Sequence, residues 1–271
     1  MRLGIRHTTS YRFDRPVGHG LQRLRLTPKS SHGQSVASWT MSLSGAHQQV
    51  EYEDHNHNRT TLVSVDAGVQ EVVIHCDGVV NTSDKGGVFG EHSGHMPLWC
   101  FLAQTRLTRP GPQMRALAGQ LDAGRRDPLA LLHAMSARVI ATVDYVIGET
   151  LADTTGEEAA VIGRGVCQDH AHIFIGLARS QGIPARYVSG YLMMNDRIDQ
   201  EAGHAWAEAH VEGLGWVGFD VSNGISPDER YVRVATGRDY REAAPVTGMS
   251  WGAGETKLAV SLAVEQQLVE Q

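Results

Sequence analysis

Apolar and polar residues alternate through the first third of the chain. Leu3, Ile5, Tyr11 and Phe13 all occupy odd positions among polar neighbours, and a period of two is typical of strands that bury one face. Prolines and glycines separate these runs, as expected at turns. The pattern predicts an antiparallel β module over residues 1–85.

Helical and strand patterns follow a segment of low apolar density and many glycines, Asn81 to Pro97. Such a segment is typical of a connection between modules, so we predict a second module over residues 98–271. Asp127 and Pro128 precede apolar residues at helical spacing, which predicts a capped helix. The later segments "ARYVSGYLMM", "HAWAEAHV", "GWVGFDV", "YVRVA" and "LAVSLAVEQ" are apolar, β-branched or aromatic enough to predict strands. The whole pattern predicts an α+β fold.

Composition and charge narrow the class of protein. With 271 residues, of which 41% are hydrophobic, the chain is long enough to bury a substantial core. The formal net charge is −6 and no block of like charges occurs, so nothing favours a nucleic-acid or membrane partner. The N-terminus has no apolar signal core, and no stretch has the length of a membrane span. We therefore expect a cytoplasmic protein.

The chain has three cysteines, Cys76, Cys100 and Cys167, at wide spacing and without a CxxC pair. This arrangement favours neither a disulfide framework nor a structural zinc site. Cys76 and Cys100 lie in apolar segments without a nearby base and are predicted to be small core residues. Cys167 differs because it follows the glycine-containing turn "GRGV" and begins the predicted helix "CQDHAHIFIGLARS".

Cys167 is a candidate nucleophile because of this position. At the first turn of a helix, unpaired backbone N–H groups and the helix dipole favour the thiolate. A buried structural cysteine is the alternative interpretation. A nucleophilic thiol also needs a base that a third group orients, and "GHAWAEAHVEGLGWVGFD" contains both His204 and Asp220.

The spacing of His204 and Asp220 suits a hairpin. If a three-residue turn follows His210, then His210 faces Leu214 and His204 lies directly opposite Asp220 on the same face. An imidazole between the aspartate and the thiol would result. A shift at Gly215 would give a different register, so this geometry is permitted and not required.

Several separated segments resemble one known family. "GRGVCQDHAHIFIGLARSQGIPARYVSGY", "GHAWAEAHVEGLGWVGFD" and "GRDYREAAPVTG" together resemble the bacterial transglutaminase-like cysteine peptidases, and "LGIRHTTSYRFDRPVGHGLQRLRLTP" is similar to their N-terminal β module. The resemblance implies a papain-like, transglutaminase-like core with a helix-borne cysteine packed on an antiparallel sheet. It also implies that Cys167 is the nucleophile, His204 the base and Asp220 the orienting carboxylate. In the family this aspartate usually opens a Pro-Thr-Asn segment, where this chain has Val221 and Ser222.

The implied activity is that of a thiol-dependent peptidase or amidase that forms a thioester on peptide or protein amides, without a cofactor. We favour hydrolysis over protein-glutamine acyl transfer, since nothing in the sequence identifies an acyl-acceptor site. A partner protein encoded elsewhere could restrict access to the cleft. The backbone N–H of Cys167 is a natural oxyanion donor, and Gln168 and Tyr145 are candidates for a second one. Trp206 shares the face of His204 and is a candidate cleft wall.

Other chemistry-bearing residues have simpler interpretations. His170 lies on the same side of the helix as Cys167 and is a rival base without a paired carboxylate, while Asp169 suits the helix dipole. His55 and His57 in "DHNHN" could chelate a metal, but surface loops are often rich in His and Asn, and we expect no metal. If the protein is instead a non-catalytic binding or scaffold protein, Cys167 should be inert. If it is a metal-dependent enzyme, chelators should inactivate it.

Overall fold

The computed structural model describes residues 1–119, 121 and 127–267. The described helices are α1 (Pro112–Gly119), α2 (Pro128–Ile140), α3 (Gly156–Ile162), α4 (Cys167–Ser180) and α5 (Tyr240–Ala243). The described strands are β1 (Arg2–Phe13), β2 (His19–Thr27), β3 (Gln34–Ser44), β4 (Ala46–Glu53), β5 (Arg59–Val65), β6 (Glu71–Thr82), β7 (Val88–Gly90), β8 (Asp144–Tyr145), β9 (Arg164–Gly165), β10 (Ala185–Leu192), β11 (Asp199–Gln200), β12 (His204–Val211), β13 (Gly215–Phe219), β14 (Tyr231–Gly237), β15 (Val246–Trp251) and β16 (Thr256–Gln266).

The N-terminal strands are antiparallel, as predicted, and they form two sheets that pack as a sandwich. Sheet I has the strand order β11-β16-β1-β6-β3, and sheet II has the order β15-β2-β5-β4. Their facing side chains share a core that includes Leu24, Val63 and Ile74. In β6 the buried positions Val72, Ile74 and Cys76 alternate with more exposed ones, which is the period of two that the sequence shows.

The last two strands belong to this sandwich by their hydrogen bonds. β15 pairs with β2, and β16 pairs with β1 over its whole length. The sequence pattern grouped both strands with the second module, whereas their hydrogen bonds join them to β1 and β2. The physical reason is that β16 covers the edge of β1 and buries Leu262 and Val264 beside it. The domain limits at residues 85 and 98 stay a prediction.

The remaining large sheet, sheet III, has the antiparallel order β14-β10-β12-β13-β7. α4 packs across it and is buried from Asp169 to Arg179. This is the predicted arrangement of a cysteine-bearing helix on an antiparallel sheet. β7 was not predicted, because it lies in the glycine-rich connection and pairs with β13.

Two helix boundaries follow the predicted signals. The Asp127 side chain accepts from the Leu129 N–H at 3.0 Å, and Pro128 occupies the first turn of α2. α4 ends at Ser180, before Gly182 with its φ of 75°. None of the described helices combines the length and apolar character needed to cross a membrane.

Sheets I and III are joined by a buried apolar cluster. Leu3 and Ile5 of β1 and Val264 of β16 pack against Val232 and Val234 of β14. All five side chains are at most 5% exposed. The N-terminal sandwich is thereby fixed against the sheet that carries His204.

Candidate active site

Cys167 is held at the start of α4 by its neighbours on both sides. β8 and β9 pair in parallel, with Tyr145 opposite Gly165, two residues before the cysteine. The Asp169 carboxylate accepts from the Val166 N–H at 2.8 Å and from the Thr150 hydroxyl at 2.7 Å. A Cβ on Gly165 would lie 2.7 Å from the same carboxylate oxygen. The glycine of the "GRGVC" turn therefore leaves room for the carboxylate that caps the helix.

His204 and Asp220 form a buried hydrogen-bonded pair. His204 Nε2 lies 2.6 Å from Asp220 Oδ2, and the two side chains are 8% and 0% exposed. The same carboxylate oxygen accepts from the Tyr231 hydroxyl at 2.6 Å and from Asn223 Nδ2 at 2.7 Å. The Cys167 thiol is near enough to His204 to affect the pKa of the imidazole, and both residues line one cleft. Because Nε2 faces the aspartate, Nδ1 is the nitrogen left for the thiol.

The electrostatics of the pair favour charged forms. Burial acts to lower the pKa of His204, but hydrogen bonds with Asp220 and Cys167 and the negative charges of both outweigh it and raise the pKa to about 10. Burial acts to raise the pKa of Asp220, but the hydrogen bond and charge of His204, with further bonds from Tyr231 and Asn223, lower it. The site can therefore hold a protonated imidazole beside an ionised carboxylate.

The hairpin that positions His204 has a different register from the predicted one. His210 lies opposite Trp216, and not opposite Leu214. The turn is displaced by one residue because Gly215 is part of β13 beside β7, where a Cβ would come 2.1 Å from the Gly90 carbonyl oxygen. Gly215 has a φ of 79°, which glycine adopts readily.

In the observed register His204 and Asp220 are diagonal neighbours. Ala207 lies opposite Phe219, so the position directly opposite His204 would fall two residues beyond Asp220. A displacement by two keeps both side chains on one face of the hairpin. Diagonal pairs remain within reach of long side chains, and the two groups therefore meet although the predicted pairing was wrong.

His170, the rival base, has both ring nitrogens engaged elsewhere. Nε2 lies 2.9 Å from the Val143 carbonyl oxygen and Nδ1 lies 2.8 Å from the Ser222 hydroxyl. The carbonyl can only accept, so Nε2 carries the proton and Nδ1 accepts from the serine. Burial lowers the pKa of His170. The ring therefore ties α4 to the segment after Asp220 as a neutral imidazole.

The three predicted cleft residues lie in different places. Gln168 lines the cleft beside Cys167, with its amide donating to the Ala152 carbonyl at 3.0 Å. Trp206 is 1% exposed and stacks behind the His204 ring at 6.3 Å between centroids. Tyr145 is half-exposed, and its pKa is raised to about 12 by burial and by the negative charges of Cys167 and Asp220. Its hydroxyl therefore stays protonated at neutral pH.

Two polar partners of the pair were not singled out from the sequence. Asn223 follows Asp220 by three residues, an offset at which a side chain closes a local turn, and this signal was available. Tyr231 comes eleven residues later in a strand, and no local pattern links it to Asp220. Its contact depends on the pairing of β14 beside β10.

One cluster outside the cleft has metal-ligating side chains. Ligand atoms of Glu53, His57 and His95 lie within 4.8 Å of one another. His55, which the sequence analysis considered with His57, instead contacts the Asn56 amide at 3.2 Å. Two imidazoles and a carboxylate are suitable zinc ligands, but the Lys29 ammonium donates to the His57 carbonyl beside them, and its charge would repel a cation.

Comparison with known proteins identifies the family. Residues 3–81 match the model of the bacterial transglutaminase-like N-terminal region, and residues 115–221 match that of the transglutaminase-like superfamily. The chain is 30% identical over 278 residues to the uncharacterised protein ML0607 of Mycobacterium leprae, covering 96% of each. The chain belongs to the transglutaminase-like superfamily. The superfamily match includes Cys167, His204 and Asp220.

One further relative and one solved structure are also similar to the chain. The uncharacterised protein Rv2569c of Mycobacterium tuberculosis is 26% identical over 283 residues, covering 95% of this chain and 90% of its own. The crystal structure of a putative cysteine protease from Cytophaga hutchinsonii has a TM-score of 0.78 at 20% identity, covering 100% of this chain and 92% of that chain. At this identity the likeness shows the fold alone.

Proposed function

We propose that the protein is a thiol-dependent peptidase or amidase that hydrolyses amide bonds through a thioester on Cys167. The observation that carries this proposal is the buried hydrogen bond of His204 with Asp220, with Cys167 in the same cleft at the start of α4. The thiol begins a helix, the imidazole is protonated and the carboxylate is fully buried, which together suit an ion-paired nucleophile. A cytoplasmic location and an amide-bearing peptide or protein substrate are part of the proposal.

In the acylation step the Cys167 thiolate attacks the carbonyl carbon of the substrate. A C–S bond forms and the carbonyl electron pair moves to oxygen, giving a tetrahedral oxyanion. When this collapses, the C–N bond breaks, and the His204 imidazolium gives its proton to the departing nitrogen. An amine or ammonia leaves, a thioester remains, and Asp220 keeps the imidazole ring in the required orientation.

Two donors are available for the oxyanion. The backbone N–H of Cys167 lies in the first turn of α4, where helical N–H groups have no intrahelical acceptor. The Tyr145 hydroxyl stays protonated at neutral pH and is close enough to Cys167 to respond to its charge. We assign these two groups as the oxyanion site.

In the deacylation step the neutral His204 ring takes a proton from water, and the hydroxide attacks the thioester carbonyl. The C–S bond breaks, a carboxylic acid leaves and the thiolate is restored. An amine in place of water would give acyl transfer, and mass spectrometry of products formed with and without added amine distinguishes the two. We favour water, and a product that always carries the added amine would contradict this preference.

The first test is iodoacetamide labelling of the native protein across pH with peptide mapping. Cys100 is a matched control in the same chain, since it is half-buried like Cys167, whereas Cys76 is buried. We expect Cys167 to label much faster than Cys100 below neutral pH, and this advantage to disappear in the His204→Ala variant. Equal labelling of the two half-buried cysteines would contradict the proposal.

The second test measures hydrolysis of a peptide-amide library by mass spectrometry. We expect cleavage that is abolished by Cys167→Ser and by prior alkylation, and unaffected by EDTA. Activity lost to EDTA but retained after alkylation would favour a metal-dependent enzyme. Labelling at Cys167 without any cleavage in a broad library would favour a non-catalytic binding protein.

A further inference from the structure

An open cleft of about 300 Å³ extends from Cys167 and His204 to the N-terminal sandwich, which is near the lower end of the roughly 300–1,000 Å³ range of ligand pockets. The elements around Cys167 and His204 supply one wall, and β1 and β2 supply another. The C-terminal strands complete it with Val246 of β15 and with Leu258 and Val260 of β16. Segments from both ends of the chain therefore surround the space in front of the thiol.

The polar side chains of this cleft are mostly paired within the protein. The ring nitrogens of His7 lie 2.8 Å from the Tyr191 hydroxyl and 3.0 Å from the Thr9 hydroxyl, and the Ser189 hydroxyl donates to the Ala243 carbonyl at 2.6 Å. Across the described part of the chain, no Asp or Glu lines the cleft. A cationic group there would lose its hydration without gaining a partner, whereas an apolar group would bury its surface.

The charge of Arg25, which also lines the cleft, is balanced within the protein. Its side chain is 3% exposed, and Nε donates to Asp54 at 2.9 Å. Burial acts to raise the pKa of Asp54, but hydrogen bonds from Asn58, Arg25 and Asn56 lower it, so an ionised carboxylate balances the guanidinium. The balanced guanidinium therefore adds little attraction for an anionic substrate group in the cleft.

We infer that this cleft binds the acyl side of an extended peptide, with an uncharged apolar side chain beside the scissile carbonyl. The inference rests on the proposed function, because it assigns the acyl donor to the space in front of Cys167. It adds that the N-terminal sandwich and the C-terminal strands select the substrate.

The test uses four acyl-dipeptide vinyl sulfones that carry leucine, phenylalanine, lysine or glutamate beside the reactive carbon. We expect the leucine and phenylalanine compounds to alkylate Cys167 about 10- to 100-fold faster than the charged ones, the discrimination usual for apolar pockets. Iodoacetamide is run in parallel, since it is too small to report on the cleft wall. Equal rates for all four compounds, with iodoacetamide still selective for Cys167, would overturn the inference and leave the proposed function intact. Loss of iodoacetamide selectivity would overturn both.

The Val260→Asp variant provides a second test, in which the reaction with the lysine compound should become faster. Misfolding could not produce such an increase. Val260 lines the cleft, and its neighbour Ser261 is exposed and points to the other face of β16. In Val260→Asp we expect slower reaction with the leucine compound and faster reaction with the lysine compound, each expressed relative to the iodoacetamide rate of the same variant. Ser261→Asp, the matched control, should match the unsubstituted protein with every reagent. A Val260→Asp variant with unaltered preference would overturn the inference.

Discussion

The Asp220 carboxylate is the most constrained group of the site. One of its oxygens accepts from His204, Tyr231 and Asn223 at 2.6 to 2.7 Å. Three donors on one buried oxygen fix its position and its charge. The orientation of the His204 ring, and with it the direction of Nδ1, follows from this arrangement.

Asp220→Asn tests that dependence. We expect turnover to fall by about 10³- to 10⁴-fold while the fold is retained, because an amide favours the wrong imidazole tautomer. In the unsubstituted protein activity should decline only as pH rises through about 10, where His204 loses the proton it gives to the leaving group. Without the carboxylate that raises this pKa, the decline should begin at lower pH. Circular dichroism at each pH controls for unfolding, and an unchanged pH profile would contradict the assignment.

Tyr145→Phe tests the second oxyanion donor. Removing one such donor lowers kcat by about 10²-fold or more when the donor acts in the transition state. We expect this loss with little change in KM. Iodoacetamide labelling of Cys167 should be unaffected, since alkylation forms no oxyanion. A parallel loss of labelling would instead make Tyr145 a residue that positions the thiol.

At the scale of the element, the positions of helices and strands were predicted from the sequence more accurately than the pairing of the strands. The α4 start at Cys167 follows from its glycine turn and apolar run, because both signals are local. The predicted register of β12 and β13 was wrong. The observed register depends on β7, which comes from a distant glycine-rich segment and lies against Gly215. His204 and Asp220 nevertheless lie on the same face of the hairpin, because a shift of two residues preserves the face of a strand.

The C-terminal end of α4 is anchored by one buried arginine. Arg179 donates to the carbonyl oxygens of Phe101, Ala185 and Arg238 and to the Thr108 hydroxyl, at 2.6 to 3.2 Å. These acceptors belong to segments before and after the helix. The arginine therefore fixes the helix that carries Cys167 against its surroundings.

Arg179→Met should lower the free energy of unfolding by about 2 to 4 kcal/mol, because several buried acceptors lose their donor. Urea unfolding of the variant measures this change. Arg115→Met is the control, since Arg115 is exposed and donates to the Pro110 carbonyl, and it should change stability by less than about 0.5 kcal/mol. Equal effects of the two substitutions would show that the buried contacts contribute little.

At the scale of the whole molecule, both ends of the chain contribute to one sandwich. β16 lies between β1 and β11 in sheet I, and β15 is the edge strand beside β2 in sheet II. No local pattern could predict this, because β1 and β2 are more than 200 residues away in the chain from β16 and β15, with which they pair. The strand character of "LAVSLAVEQ" was evident in the sequence, but its place in the fold depends on which edge is open for pairing.

This interleaving predicts that the sandwich and the α4-bearing core unfold together, although the sequence suggested two modules. Unfolding either part exposes the cluster in which Val264 of β16 contacts Val232 of β14, and such shared burial makes separate opening costly. Native-state hydrogen exchange in rising urea measures the free energy of opening at each amide. The slowest-exchanging amides of β1 and of α4 should therefore show the same free energy of unfolding. Val264→Ala should lower both values equally, by about 1 to 3 kcal/mol. If β1 alone were destabilised, the sandwich would be an independent domain, and the cleft between the two parts could open without unfolding.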